Sequence, residues 1–269
     1  MKLSLRKAVI GLALTGGVAA LIPGVAAAST THGPKPTVVL VHGAWADGSS
    51  WNGVTKRLQD DGYTVAVPPN TLRGVTADST YLADYLATVK GPIVLVGHSY
   101  GGFLISNAAL GNTNVKALVY VDAYVPAAGD TLTSLTALNP GGQVTEANLN
   151  FVQPLDKTAS YTDTYIKPEL FPAIFANDQP VKKAAVLASA QRPLNAAALQ
   201  QPSGTPAWTT IPVWDVVGTV DNVIPAATQR FMAKRANAHT TEIKAAHLSM
   251  VSQPEKVENV IVEAARKTS

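Results

Sequence analysis

Ile93-Val94-Leu95-Val96-Gly97-His98-Ser99-Tyr100-Gly101-Gly102 joins a short apolar run to a cluster of small residues around one serine. The run follows Gly91-Pro92, a turn signal, and reads as a buried strand. Residues 101–110 read as a helix, so the Gly-x-Ser-x-Gly pattern falls where a strand turns sharply into a helix. Small residues on both sides of the serine let neighbouring chain pass close by, and the turn leaves Oγ exposed at the helix head. A helix N-terminus also favours the negative charge that develops in acyl transfer. Ser99 is therefore the candidate nucleophile.

The flanking sequence repeats the strand-then-helix rhythm. Residues 37–41 (Thr-Val-Val-Leu-Val) read as a strand, 49–60 as a helix stopped by Gly62, 63–67 as a strand and 77–89 as a helix. After the serine helix, 117–121 form another strand. Short connections between alternating strands and helices imply a parallel sheet covered on both faces. The rhythm breaks over 126–206, which is rich in Ala, Pro, Leu and Thr, has helical pieces near 180–190 and shows no clear buried strand. It resumes with a strand at 213–217, a helix at 225–236, a strand at 239–244 and a helix at 254–266. The expected organisation is a core of residues 29–125 and 207–269 with a mainly helical cap, 126–206, inserted over the strand ends.

A serine hydroxyl needs a base, and the base needs an orienting acid. For a nucleophile on this kind of turn the order along the chain is Ser, acid, His. His32 precedes the core, His42 and His98 precede or flank the serine, and His239 begins a strand. His247 lies in the loop after the last strand and is the candidate base. Two acids compete. Asp221 stands in the turn-rich loop Gly218-Thr219-Val220-Asp221-Asn222-Val223-Ile224-Pro225 and is preferred; Asp122 ends the strand before the cap. Asp215, inside a strand, reads as a structural or edge residue. The backbone amides of Ala44 and Tyr100 are the candidate oxyanion donors, with the His42 side chain buttressing their loop.

Val41-His42-Gly43-Ala44-Trp45, Gly97-His98-Ser99-Tyr100-Gly101-Gly102, the Asp221 loop and Ala246-His247-Leu248-Ser249-Met250 together give a chain that resembles the α/β-hydrolase superfamily. Within it the chain is similar to the bacterial and plant group of small carboxylesterases, plant methyl-ester esterases and hydroxynitrile lyases. The resemblance implies Ser99, Asp221 and His247 as a triad acting on a small carboxylic ester through an acyl-enzyme. In the cyanohydrin-cleaving members a lysine follows the catalytic histidine and a threonine lies in the oxyanion loop. Here those places hold Leu248 and Gly43, with no cation for leaving cyanide, which favours hydrolysis. A hydroxynitrile-lyase-like activity and a non-hydrolytic ligand-binding role are the alternatives, because fold does not fix function. Phe151, Tyr161, Tyr165, Phe171, Phe175 and Trp208 are the cap aromatics available to an apolar pocket.

Several classes are excluded or disfavoured. Lys2, Arg6 and Lys7 precede an apolar run and Ala26-Ala27-Ala28, the pattern of a signal peptide over residues 1–28, cleaved after Ala28. No arginine pair is present, which favours the general secretory route to a secreted or periplasmic enzyme with no membrane attachment after cleavage. The leader's three basic residues account for the whole of the formal +3 charge, so the remaining chain offers no basic patch for nucleic acid. The chain has no cysteine, which rules out disulfides, thiol nucleophiles and thiolate metal sites. No metal or organic cofactor is expected, since no His/Asp cluster has ligand spacing.

Overall fold

The computed structural model describes residues 34–155 and 161–269; the expected leader and His32 lie outside them. In chain order the elements are β1 (Thr37–Val41), α1 (Asn52–Asp60), β2 (Val65–Ala66), α2 (Val75–Thr88), β3 (Ile93–His98), α3 (Gly101–Ala108) and β4 (Val115–Val121). Then come α4 (Leu132–Thr136), β5 (Leu149–Val152), β6 (Asp163–Ile166), α5 (Phe171–Ile174), α6 (Val181–Ser189) and β7 (Leu194–Asn195). The chain finishes with β8 (Val213–Gly218), α7 (Ala226–Arg235), β9 (His239–Ile243), α8 (Ser249–Ser252) and α9 (Pro254–Lys267).

Among the described residues β2-β1-β3-β4-β8-β9 form one six-stranded sheet, every neighbouring pair parallel. All six residues of β3 are buried, as a strand covered on both faces requires. Helices α1 and α9 pack on each other, as do α2 and α3. In α9 the buried residues Val257, Val260, Ile261, Ala264 and Ala265 follow helical spacing and give the helix its inward stripe. Helix α1 closes as expected at Gly62, whose positive φ of 77° lets Tyr63 N reach Leu58 O and Gly62 N reach Gln59 O, each at 2.9 Å. The chain runs outward from β1 to β2 and then back across to β3, so strand order reverses between β1 and β3. Their carboxyl ends open the crevice where ligands bind in such sheets. Gly43 and Ser99 meet there: a Cβ on Gly43 would lie 2.6 Å from that of Ser99.

Four expectations need correction. Residues 126–206 were expected to show no clear buried strand, yet in addition to the helices α4, α5 and α6 they hold β5, β6 and β7, which form a three-stranded antiparallel sheet. These strands are short and held by cross-strand partners distant in sequence. The second strand shrinks to Val65–Ala66. Residues 48–51 form a separate tight turn of helix capped by Asp47 before α1 begins. Asp215 is no edge residue, since β8 lies between β4 and β9; it is fully buried.

Candidate active site

Ser99 occupies the turn between β3 and α3 with φ of 53°, a left-handed conformation that a non-glycine residue adopts at a cost. Small neighbours make the turn possible. A Cβ on Gly97 would lie 2.7 Å from Gly101 O, on Gly101 2.8 Å from Val41 O, and on Gly102 1.9 Å from Tyr124 O.

His247 Nε2 lies 2.9 Å from Ser99 Oγ, and Nδ1 lies 2.8 Å from Asp221 Oδ2. All three side chains are almost fully buried. Asp221 Oδ1 accepts from the amides of Val223 (2.7 Å) and Ile224 (3.0 Å), and Oδ2 also accepts from Gln229 Nε2 at 2.9 Å. Burial pushes its pKa up to about 8; these donors hold the rise down, and the nearby Asp178 adds to it. Among the described residues, the groups hydrogen-bonded to its oxygens are all donors, which favours the carboxylate. Burial lowers His247 to about 3, leaving a neutral ring whose Nδ1–H faces Asp221 and whose Nε2 lone pair faces Ser99.

Of the two acids, the structure brings Asp221 to His247. Asp122 turns instead to the backbone beyond the base, where Oδ2 accepts from Ser249 N at 3.0 Å. Three further groups support the triad: His98 and Asp178, which sequence reasoning missed, and Phe175, which it gave only as a pocket aromatic. His98 Nε2 donates to the His247 carbonyl at 2.8 Å. Asp178 Oδ2 accepts from Ala246 N at 2.9 Å. Phe175, fully buried, sets its ring edge-on to His247 with centroids 4.7 Å apart. In the same stretch Asn177 Nδ2 donates to Val220 O and Asn222 Nδ2 to Ala173 O, both at 3.0 Å. Residues 173–178 thus clasp the loops that carry Asp221 and His247. His98 carried a signal in sequence as the neighbour of the serine and Phe175 as a cap aromatic; Asp178 carried none, and its place depends on how the chain folds back.

Ala44 and Tyr100 line, with Ser99, a cavity of about 440 Å³, and neither backbone amide donates a hydrogen bond to another described residue. His42 buttresses this loop as expected: Asn70 N donates to Nε2 at 3.1 Å, and Nδ1 donates to Gly43 O at 2.9 Å. The cavity lining is mostly apolar and includes Leu132, Val144, Leu149, Leu194, Leu199 and Val223, with Glu146 as its charged member. Of the cap aromatics only Phe151 lines it. Phe171 and Phe175 pack against each other, and Trp208 donates to Pro126 O. The remaining aromatic lining comes from Trp45, Tyr100 and Tyr124.

Comparisons with known proteins agree with this architecture. A carbendazim hydrolyzing esterase of Nocardioides sp. (strain SG-4G) is 35% identical over 127 residues, 42% of this chain. The match spans about half of that esterase's length, 51%. A pyrethroid hydrolase of Sphingobium wenxiniae is 27% identical over 255 residues, 85% of this chain and 87% of its own. The solved structure of tomato methylketone synthase I superposes with a TM-score of 0.74 over 88% of this chain and 100% of that one, at 18% identity, a likeness of fold. The profile of the alpha/beta hydrolase family matches residues 38–260, nearly the whole described chain, and the chain belongs to that family.

Proposed function

We propose that this α/β hydrolase is an exported carboxylesterase-type enzyme that cleaves small, largely apolar esters through an acyl-enzyme on Ser99. The observation that carries the reading is the continuous contact Ser99–His247–Asp221, at 2.9 and 2.8 Å, opening on an apolar cavity of about 440 Å³. The names of the curated relatives, an esterase and a pyrethroid hydrolase, support ester cleavage.

In the proposed reaction His247 takes the Ser99 proton as Oγ attacks the ester carbonyl, while Asp221 holds the ring tautomer and offsets the imidazolium charge. The Ala44 and Tyr100 amides receive the oxyanion. His247 then protonates the departing alcohol, and water activated by the same base releases the acid. Glu146 at the cavity rim disfavours anionic substrates by like-charge repulsion, so neutral esters are the expected class.

The test is covalent and kinetic. A fluorophosphonate probe should label wild type on Ser99, and Ser99→Ala should lose both labelling and turnover, the latter by on the order of a million-fold. Labelling that persists in the variant would refute the nucleophile. Mandelonitrile should yield no Ser99-dependent cyanide. Protein recovered from the export compartment should begin at Ser29; an N-terminus at Met1 would defeat the leader.

A further inference from the structure

His42, Asn70, Asp78 and Tyr100 are each 3% exposed or less, yet none hydrogen-bonds to the side chains of Ser99, Asp221 or His247 among the described residues. Burying four polar side chains is costly unless they are fully partnered. Here they are partnered with one another and with one loop, residues 70–74 between β2 and α2.

The first arm runs to Ala44. Asn70 Nδ2 donates to His42 O and Asn70 N to His42 Nε2, both at 3.1 Å. The second bond places the imidazole proton on Nδ1, which donates to Gly43 O at 2.9 Å. Gly43 C=O and Ala44 N–H belong to one planar peptide unit. Fixing the carbonyl on His42 therefore fixes the direction of the Ala44 N–H. The second arm runs to Tyr100. Its hydroxyl donates to Asp78 Oδ2 at 2.8 Å, and burial beside that carboxylate keeps the phenol protonated. Asp78 also accepts from the Thr71 hydroxyl and from the amides of Arg73 (3.0 Å) and Gly74 (3.2 Å). Asn70 Oδ1 closes the loop by accepting from Leu72 N at 3.1 Å. The loop that holds His42 thus also holds the residue whose own amide is the other oxyanion donor.

We propose that Asn70 and Asp78 are positioning residues: through His42 and through the Tyr100 hydroxyl, the 70–74 loop aims both oxyanion donors at once. The inference rests on the acyl-transfer reading above and adds residues that touch no reacting atom.

Asn70→Ala and Tyr100→Phe each cut one arm while leaving Ser99, His247 and Asp221 in place; Asp78→Asn weakens the second arm at its root. Turnover of p-nitrophenyl acetate and inhibition by an aryl trifluoromethyl ketone, whose serine hemiketal places an oxyanion in the site, are measured on folded protein. Each variant should lose about 5–50-fold in kcat with KM held within about twofold, and the ketone Ki should rise by the same factor as kcat/KM falls. Should Asp78→Asn fail to fold because its loop is lost, Tyr100→Phe still tests that arm. Folded Asn70→Ala and Tyr100→Phe with wild-type kcat and ketone affinity would overturn the brace while leaving the esterase reading intact. A loss confined to KM would overturn it equally. No Ser99-dependent turnover or hemiketal in wild type would remove the underlying reading, and the brace with it.

Discussion

A base is useful only while it is neutral, and His247 is kept neutral by burial that lowers its pKa to about 3 from an ordinary 6.5. As pH falls, an imidazole with its ordinary pKa would protonate near 6.5 and lose its lone pair for Ser99; a depressed one keeps it. The imidazole should therefore impose no acidic limb on kcat/KM at its ordinary 6.5, only one well below it. A limb at 6.5 in a pH–rate series would contradict this. Asp221→Asn should cost roughly 10⁴-fold in kcat, the scale on which a triad acid sets the tautomer. Asp122→Asn should cost no more than about tenfold, because an asparagine oxygen can still accept from Ser249 N. The reverse ranking would transfer the acid's role to the strand before the insert. Ser99, His247 and Asp221 were legible in sequence because each stands at a strand end, where local punctuation marks its place. Asn70, Asp78 and Asp178 were not legible, since the partners that tie them to the site lie 22 to 68 residues away and their local hydrogen bonds are those of an ordinary turn.

Backbones approach most closely where β3 turns into α3. A Cβ on Gly102 would sit 1.9 Å from Tyr124 O, a carbonyl that is part of the chain leaving β4. Gly102→Ala should therefore destabilise by about 3 kcal/mol or more, at the upper end of overpacking costs, because a backbone atom must move. Gly111→Ala, where nothing lies within 4 Å and only a φ of 76° resists, should cost about 1 kcal/mol. Denaturant titration of the two variants checks the order. The core strands were readable because strands covered on both faces are continuous apolar runs. Strands β5 to β7 escaped notice for the opposite reason. Asn150-Phe151-Val152 is exposed, and Asp163-Thr164-Tyr165-Ile166 alternates in burial without alternating in hydropathy. Pairing within the insert, such as Leu149 with Ile166, holds them.

At the scale of the molecule, the sheet encloses a carboxyl group that takes no part in the proposed chemistry. Asp215 is fully buried on β8, neither oxygen has a partner among the described residues, and burial followed by the nearby Asp122 raises its pKa well above 3.8. The folded state then binds a proton that the unfolded chain has released. Stability should fall as pH rises from about 4 toward the folded pKa, by up to about 1.4 kcal/mol per pH unit from this residue. Asp215→Asn, which cannot ionise, should lose that component of the slope; identical slopes in unfolding free energy from pH 4 to 8 would contradict the assignment. Trp45 has a consequence on the same scale. It lines the cavity beside Ser99 with its indole N–H on Thr164 O at 2.9 Å, while Trp51 and Trp214 are buried in the core and Trp208 is hydrogen-bonded to Pro126 O. The molecule thus carries its own optical reporter: emission that changes on acylation in wild type and is silent in Trp45→Phe would time the arrival and departure of the acyl group without a coloured ester.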